Sequence, residues 1–181
     1  MDAENTFVAL LRGVNVGGRK KIAMAELRLL FSSLGFEDVV AYIQSGNVVF
    51  SSPHGDRDHI SATIEGEITA AFGMDPAVLL RTPTELEEIV KCSPYRARAD
   101  SSKVHVVFLE RTPAASAAAE LDPGRSPPDE FTLRGREVYL YLPNGAGRSK
   151  LTIDYFERRL GVRATARNWN TLLNLLDLCR H

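Results

Sequence analysis

Cysteine is scarce: Cys92 and Cys179 stand far apart and form no CxxC pattern. A disulfide scaffold and a cysteine-built zinc site are therefore excluded, and reduced, packed cysteines in a cytoplasmic protein are expected. No apolar run approaches the ~18 residues of a membrane span, and the start MDAENTFVALLRG lacks a signal peptide's basic region, so no membrane partner is expected. There is no excess of charge of either sign. Lys+Arg number 22 against 23 Asp+Glu, for a net charge of -1, which excludes a strongly basic nucleic-acid binder but not a local basic patch. His54, His59, His105 and His181 show no ligand spacing with cysteine or carboxylates, so no metal is expected. GxSxG is absent, and Ser45 and Ser149 sit in no nucleophile elbow. Aromatics are 8% of the chain and show no RNP-like strand pattern. No cofactor is implied.

What remains is ordinary globular composition, 44% hydrophobic and 25% charged over 181 residues, enough for one large domain or two small ones. Charge is unevenly spread: residues 12–28 carry +4, residues 56–88 carry -6 and residues 134–167 carry +5. Two basic stretches in a neutral chain suit anion binding if the fold brings them together, and solvated faces if it does not.

Apolar periodicity gives an order of elements. Phe7 to Leu11 reads as a buried strand. Met24, Leu27, Leu30, Phe31 and Leu34 follow at helical spacing. Val39 to Ile43 and Val48 to Phe50 flank Gln44-Ser45-Gly46-Asn47, a hairpin signal. Ile60, Ile64, Ile68 and Phe72 recur every four residues, and Ala77 to Leu80 closes a βαββαβ unit, the ferredoxin-like order. Thr82-Pro83-Thr84-Glu85 opens a linking helix with a capping Thr, Pro at the first helical position and Glu three residues after the cap. Ser93 to Ser102 reads as the linker. Strands at Val104–Leu109, Phe131–Leu133, Val138–Leu142 and Val162–Ala166, with helices at Ala114–Leu121 and from Ile153, repeat the order. A last helix runs from about Trp169 and is apolar on much of its circumference. The expectation is an α+β chain of two ferredoxin-like domains, residues 1–92 and 103–181, each an antiparallel sheet covered by helices. One echo supports an internal duplication: Arg81-Thr82-Pro83-Thr84-Glu85-Leu86 matches Arg167-Asn168-Trp169-Asn170-Thr171-Leu172, with Arg ending the fourth strand and a capping residue after it.

Four segments carry candidate chemistry. Arg12-Gly13-Val14-Asn15-Val16-Gly17-Gly18-Arg19-Lys20-Lys21 joins a strand to a helix. Glycines let consecutive N–H groups line one concavity, and the cations add charge. Gly13 and Gly18 bracket four residues as in a P-loop, but Arg19-Lys20 stand where that motif wants Lys then Ser/Thr, so the magnesium-binding hydroxyl is missing. Ser45, Gly46 and Asn47 are explained by a tight hairpin alone. The topology nevertheless sets the hairpin beside the loop after the first strand, because the first two strands are parallel. Pro143-Asn144-Gly145-Ala146-Gly147-Arg148-Ser149-Lys150 is a second glycine loop running into a helix. Arg167, Asn168, Trp169 and Asn170 end the last strand at the same end of the second domain. Cations beside an aromatic face suit a phosphorylated or nucleobase-containing ligand; a capped helix with Trp169 in the core explains the same residues structurally.

LLRGVNVGGRKKIAMAELR, YIQSGNVVFSS, LRTPTELEEIVKCSPY, KVHVVFL and GRSKLT with ATARNWNTLLNLLDL resemble a bacterial family catalogued as domain of unknown function 1697. The resemblance runs in order over nearly the whole chain and implies two ferredoxin-like domains but no activity. Arg12, Gly13, Asn15, Gly17 and Gly18 match its pattern, as do Ser45, Gly46 and Asn47, Ser149 and Lys150, and Arg167 to Asn170. The Pro-rich segment Ser126 to Asp129 and the Ala-rich helix before it do not. The functional expectation is binding of an anionic small molecule, a nucleotide or phosphorylated metabolite, by Arg12, Gly13, Asn15, Gly17, Gly18, Lys20, Ser45, Gly46, Asn47, Arg148, Ser149, Lys150, Arg167, Asn168, Trp169 and Asn170. The alternatives are a small transferase or hydrolase acting on such a ligand, and an RNA- or protein-interaction module. Nucleic acid is less favoured than the small molecule, and a monomer or weak homodimer is expected.

Overall fold

The computed structural model describes residues 5–14, 21–43, 46–98 and 100–180. Strands β1 (Thr6–Arg12), β2 (Glu37–Tyr42), β3 (Asn47–Ser51) and β4 (Ala77–Arg81) form one antiparallel sheet in the order β2-β3-β1-β4. Helices α1 (Met24–Ser33) and α2 (Arg57–Phe72) connect them. Helix α3 (Pro83–Cys92) follows. Strands β5 (Val104–Leu109), β6 (Glu130–Arg134), β7 (Glu137–Tyr141) and β8 (Ala164–Asn168) form a second sheet in the equivalent order β6-β7-β5-β8. Short α4 (Ala115–Ala119), α5 (Ile153–Leu160) and the last helix α6 (Trp169–Leu178) complete the chain. The fold is thus α+β with two tandem βαββαβ arrangements, as the periodicity predicts. Among the described residues no helix is long and apolar enough to cross a membrane.

Packing divides the chain into two compact units, residues 1–86 with 174–181, and residues 87–173. In the first unit Phe7, Ala9, Leu11, Val48, Phe50, Val78 and Leu80 face α1 and α2 through Leu27, Phe31, Ile60, Ile64 and Ile68. In the second, Val107, Leu109, Val138, Leu140 and Ala164 face Tyr155, Phe156 and Leu160 of α5. The alternate residues are buried as well: Val8, Leu10, Val49, Leu79 and Arg81 in one sheet, and Val104, Val106, Phe108, Tyr139, Thr165 and Arg167 in the other. Burial on both faces is why β1 reads as an unbroken apolar run, and β5 as one broken only by His105, rather than as alternating strands.

Three devices recur between the units. The edge strands β4 and β8 each hand an N–H to a carboxylate from the preceding long helix, Val78 to Glu65 at 2.8 Å and Ala164 to Glu157 at 2.7 Å. Each carries a buried arginine at or next to its last residue, whose Nη1 donates to the carbonyl of the residue before it, Arg81 to Leu80 at 2.9 Å and Arg167 to Ala166 at 2.8 Å. Each is followed by a side-chain helix cap. Thr82 Oγ1 accepts from the Glu85 N–H at 3.3 Å while Glu85 Oε2 takes the Thr82 N–H at 2.8 Å. Asn168 Oδ1 accepts from the Thr171 N–H at 2.8 Å. Capping satisfies orphan donors that burial would otherwise leave costly.

Three details stand apart from the sequence reading. β8 lies two residues later than expected, at Ala164–Asn168 instead of Val162–Ala166. β2 begins earlier, at Glu37, with a register shift between Glu37 and Val40 and Asp38 at φ +50. Cys92 is exposed rather than packed, while burial pushes the partly covered Cys179 thiol up to about 11.

Candidate functional site

At the first unit's candidate end, the hairpin closes against the end of β1. The Leu11 N–H donates to the Gly46 carbonyl at 2.8 Å. Gly46 has φ +73, and a Cβ there would lie 2.9 Å from the Leu11 Cβ and 3.6 Å from that of Val14. Only glycine fits so close an approach in that conformation. Asn47 is fully buried and its Nδ2 donates to the Tyr42 carbonyl at 3.1 Å, tying the two hairpin strands. Arg12 is half-buried and Gly13 exposed at φ +82. Asn15, Gly17, Gly18, Lys20 and Ser45 lie outside the described residues. Two shallow hollows elsewhere in this unit, of about 310 and 280 Å³, flank β2 and include none of the described candidate residues.

In the second unit most candidate polar side chains have structural work. Ser149 Oγ accepts the Leu151 N–H at 3.0 Å. Asn168 caps α6, and Asn170 Oδ1 accepts from the Ser101 hydroxyl at 3.2 Å. Trp169 is 5% exposed. Arg167 is 7% exposed and donates to the Thr165 hydroxyl at 2.8 Å as well as to the Ala166 carbonyl. Burial pulls its pKa down to about 10, so it stays charged at neutral pH. Its place opposite Val106 puts it on the sheet face away from α5.

Arg148 and Lys150 are different. Both are exposed, and among the described residues neither side chain meets a carboxylate. The loop that carries them runs from Leu142 through a 3-10 turn, Ala146–Arg148, to Thr152, which caps α5 by accepting the Tyr155 N–H at 3.2 Å. The Gly145 N–H closes on the Leu142 carbonyl at 2.9 Å.

This loop is braced by the Pro-rich segment before β6. The Lys150 N–H donates to Ser126 Oγ at 3.0 Å, and that hydroxyl donates to Asp129 Oδ2 at 2.7 Å. Arg125 Nε donates to the Lys150 carbonyl at 3.0 Å, and its guanidinium lies 4.2 Å from the centre of the Tyr155 ring. Arg125 is thus a cation at the loop that sequence reasoning missed, because its Pro-rich surroundings read as a connecting loop with no ligand-binding pattern.

His105, weighed in the sequence only as a metal ligand, is a buried residue. It lies opposite Leu140 and Asn168 on the α5 face of its sheet, near the strand ends from which the loop departs. Its Nδ1 is buried without a partner among the described residues, and burial holds its pKa below the usual histidine value against the opposing pull of the Lys103 backbone. A histidine inside an apolar strand run gives no signal that separates it from a core residue.

Comparison with known proteins places the fold and the family. The chain is similar to a conserved bacterial protein, SP0830 of Streptococcus pneumoniae, with a TM-score of 0.74 and 20% identity over 97% of this chain and 98% of that one. No curated protein matches in sequence. The family described as a protein of unknown function, DUF1697, matches residues 5–139, from β1 into β7, and the chain belongs to that family.

Proposed function

We propose that the protein binds an anionic small molecule, a nucleotide or another phosphorylated metabolite, at its glycine loops. The observation that carries this reading is the pair Arg148 and Lys150, two exposed cations two residues apart on a glycine loop, with no carboxylate partner among the described residues. An unpaired cation cluster held on a braced loop makes charge-assisted hydrogen bonds to an anion at little reorganisation cost. The Arg12–Gly13 corner of the first unit is its counterpart in composition. The polar groups here position and neutralise charge, which fits binding better than acid–base chemistry.

A thermal-shift screen with nucleotides, phosphosugars and short RNAs tests the proposal. Stabilisation by a phosphorylated small molecule is expected, with Lys150→Ala weakening the binding by ~1.5–3 kcal/mol. Response to RNA alone, falling steeply with salt, would replace this reading with an RNA-interaction module. No response to any ligand would end it.

A further inference from the structure

We infer that Arg125, which lies outside every glycine-loop motif, is the bidentate anchor for the phosphate group of a phosphate monoester bound at the loop of residues 143–152. The inference rests on the anion-binding reading above and adds to it the residue and the ligand class.

The geometry is that of a guanidinium fixed before any ligand arrives. Nε is committed to the Lys150 carbonyl at 3.0 Å, which sets the plane of the group against the loop. Tyr155 supplies the surface beneath it, 4.2 Å from ring centre to Cζ. The tyrosine is itself held, because its hydroxyl accepts the Asp122 N–H at 2.9 Å and its ring packs on Phe156 at 5.2 Å. That leaves Nη1 and Nη2 of Arg125, which no protein acceptor takes among the described residues.

The nearby carboxylates already accept hydrogen bonds. Asp129 takes the Ser126 hydroxyl at 2.7 Å and Asp122 takes the Gly124 N–H at 2.8 Å, and neither bonds to Arg125. A planar fork with Nε–H fixed and two NH2 groups unclaimed matches two oxygens of a phosphate, a fit that a lysine cannot reproduce. Arg148 and Lys150 extend from the same loop and supply the further positive charge that a dianion calls for and a single carboxylate does not.

Inorganic phosphate is titrated into the full chain and followed by NMR, with acetate at matched ionic strength as control. The wild type should bind phosphate in preference to acetate. R125K keeps the charge and the stem over Tyr155 but loses the fork, and it should weaken phosphate binding at least tenfold. R148A should weaken it only several-fold. Should R125A prove too unstable to compare, R125K decides. Phosphate binding by R125K within twofold of the wild type would overturn the role of Arg125 while leaving the anion-binding reading standing. A wild type that answers neither phosphate nor any phosphorylated compound of the screen would overturn both.

Discussion

The four arginines most relevant to function separate by surroundings, not by sequence. Arg167 is buried against Thr165 and Ala166, Arg125 is fixed on a carbonyl and a ring, Arg148 is exposed, and Arg12 is half-buried at a strand end. Removing Arg167 takes one hydrogen bond from the Thr165 hydroxyl and opens a void inside a packed face. Arg167→Ala should therefore cost ~2–4 kcal/mol in urea unfolding, while Arg148→Ala should stay within ~0.5 kcal/mol. A mild effect at Arg167 would mean that its burial is not maintained in solution.

His105 gives a pH signature with a definite sign. Burial lowers its pKa in the fold, while the unfolded chain titrates near the ordinary value of ~6.5. Between the two values the unfolded state binds more protons, so stability rises with pH across that window. The contribution is complete above ~6.5 and is lost as the pH falls towards the folded value. His105→Gln should flatten the rise of stability with pH below about 6.5, read by chemical denaturation at each pH. An unchanged profile would show that His105 titrates normally in the fold.

At the scale of elements, the order βαββαβ was legible twice because the central strands are apolar runs, broken in β5 only by His105, and the long helices carry an apolar face at helical spacing. The repeated arginine and cap were legible as a short sequence match, and the structure gives both copies the same hydrogen bonds. The repeated carboxylate at the edge strands was not, because Glu65 lies 13 residues before Val78 and Glu157 only seven before Ala164. Different helix lengths hide an equivalence that pairing exposes. The site was legible only in part. Asn47, Ser149, Asn168 and Asn170 have polar side chains that suit a ligand and suit a cap or turn equally well, and only partners decide between them. Arg125 was invisible because what defines it is a tyrosine 30 residues later.

The β2–β3 hairpin joins a well-fitted glycine to a poorly placed isoleucine. Gly46 needs both its positive φ and its missing Cβ, so Gly46→Ala should lose ~1–3 kcal/mol. Ile43, 46% exposed, sits at φ +47, where a β-branched side chain crowds its own backbone. Ile43→Gly relieves that crowding and should gain up to ~1 kcal/mol. Opposite signs at two positions three residues apart, measured by thermal melting, distinguish local backbone strain from a general intolerance of the hairpin.

At the scale of the whole molecule, the first unit is built from two separate stretches of the chain, whereas the second is one. Helix α3 begins in the first unit and ends in the second, whereas α6 begins in the second and ends in the first. An apolar helix face announces burial but not the element it is buried against, so neither crossing could be read from periodicity. The consequence falls on residues 174–181. Leu175 and Leu176 are buried, and Asn174 Nδ2 donates to the Tyr42 hydroxyl on β2 at 2.7 Å. Burying two leucines stabilises by ~3–6 kcal/mol, a large share of the stability of a small unit. A chain ending at Leu173 keeps all of β1 to β8 and both helices of the first unit, yet loses this packing from a unit 87 residues upstream of the cut. Hydrogen exchange should then show β1, β3 and β4 amides losing protection, with β5 and β7 amides losing less. Equal loss in both sheets would mean that the last helix supports the molecule as one body. Protection lost only in the second sheet would show that residues 174–181 do not belong to the first unit.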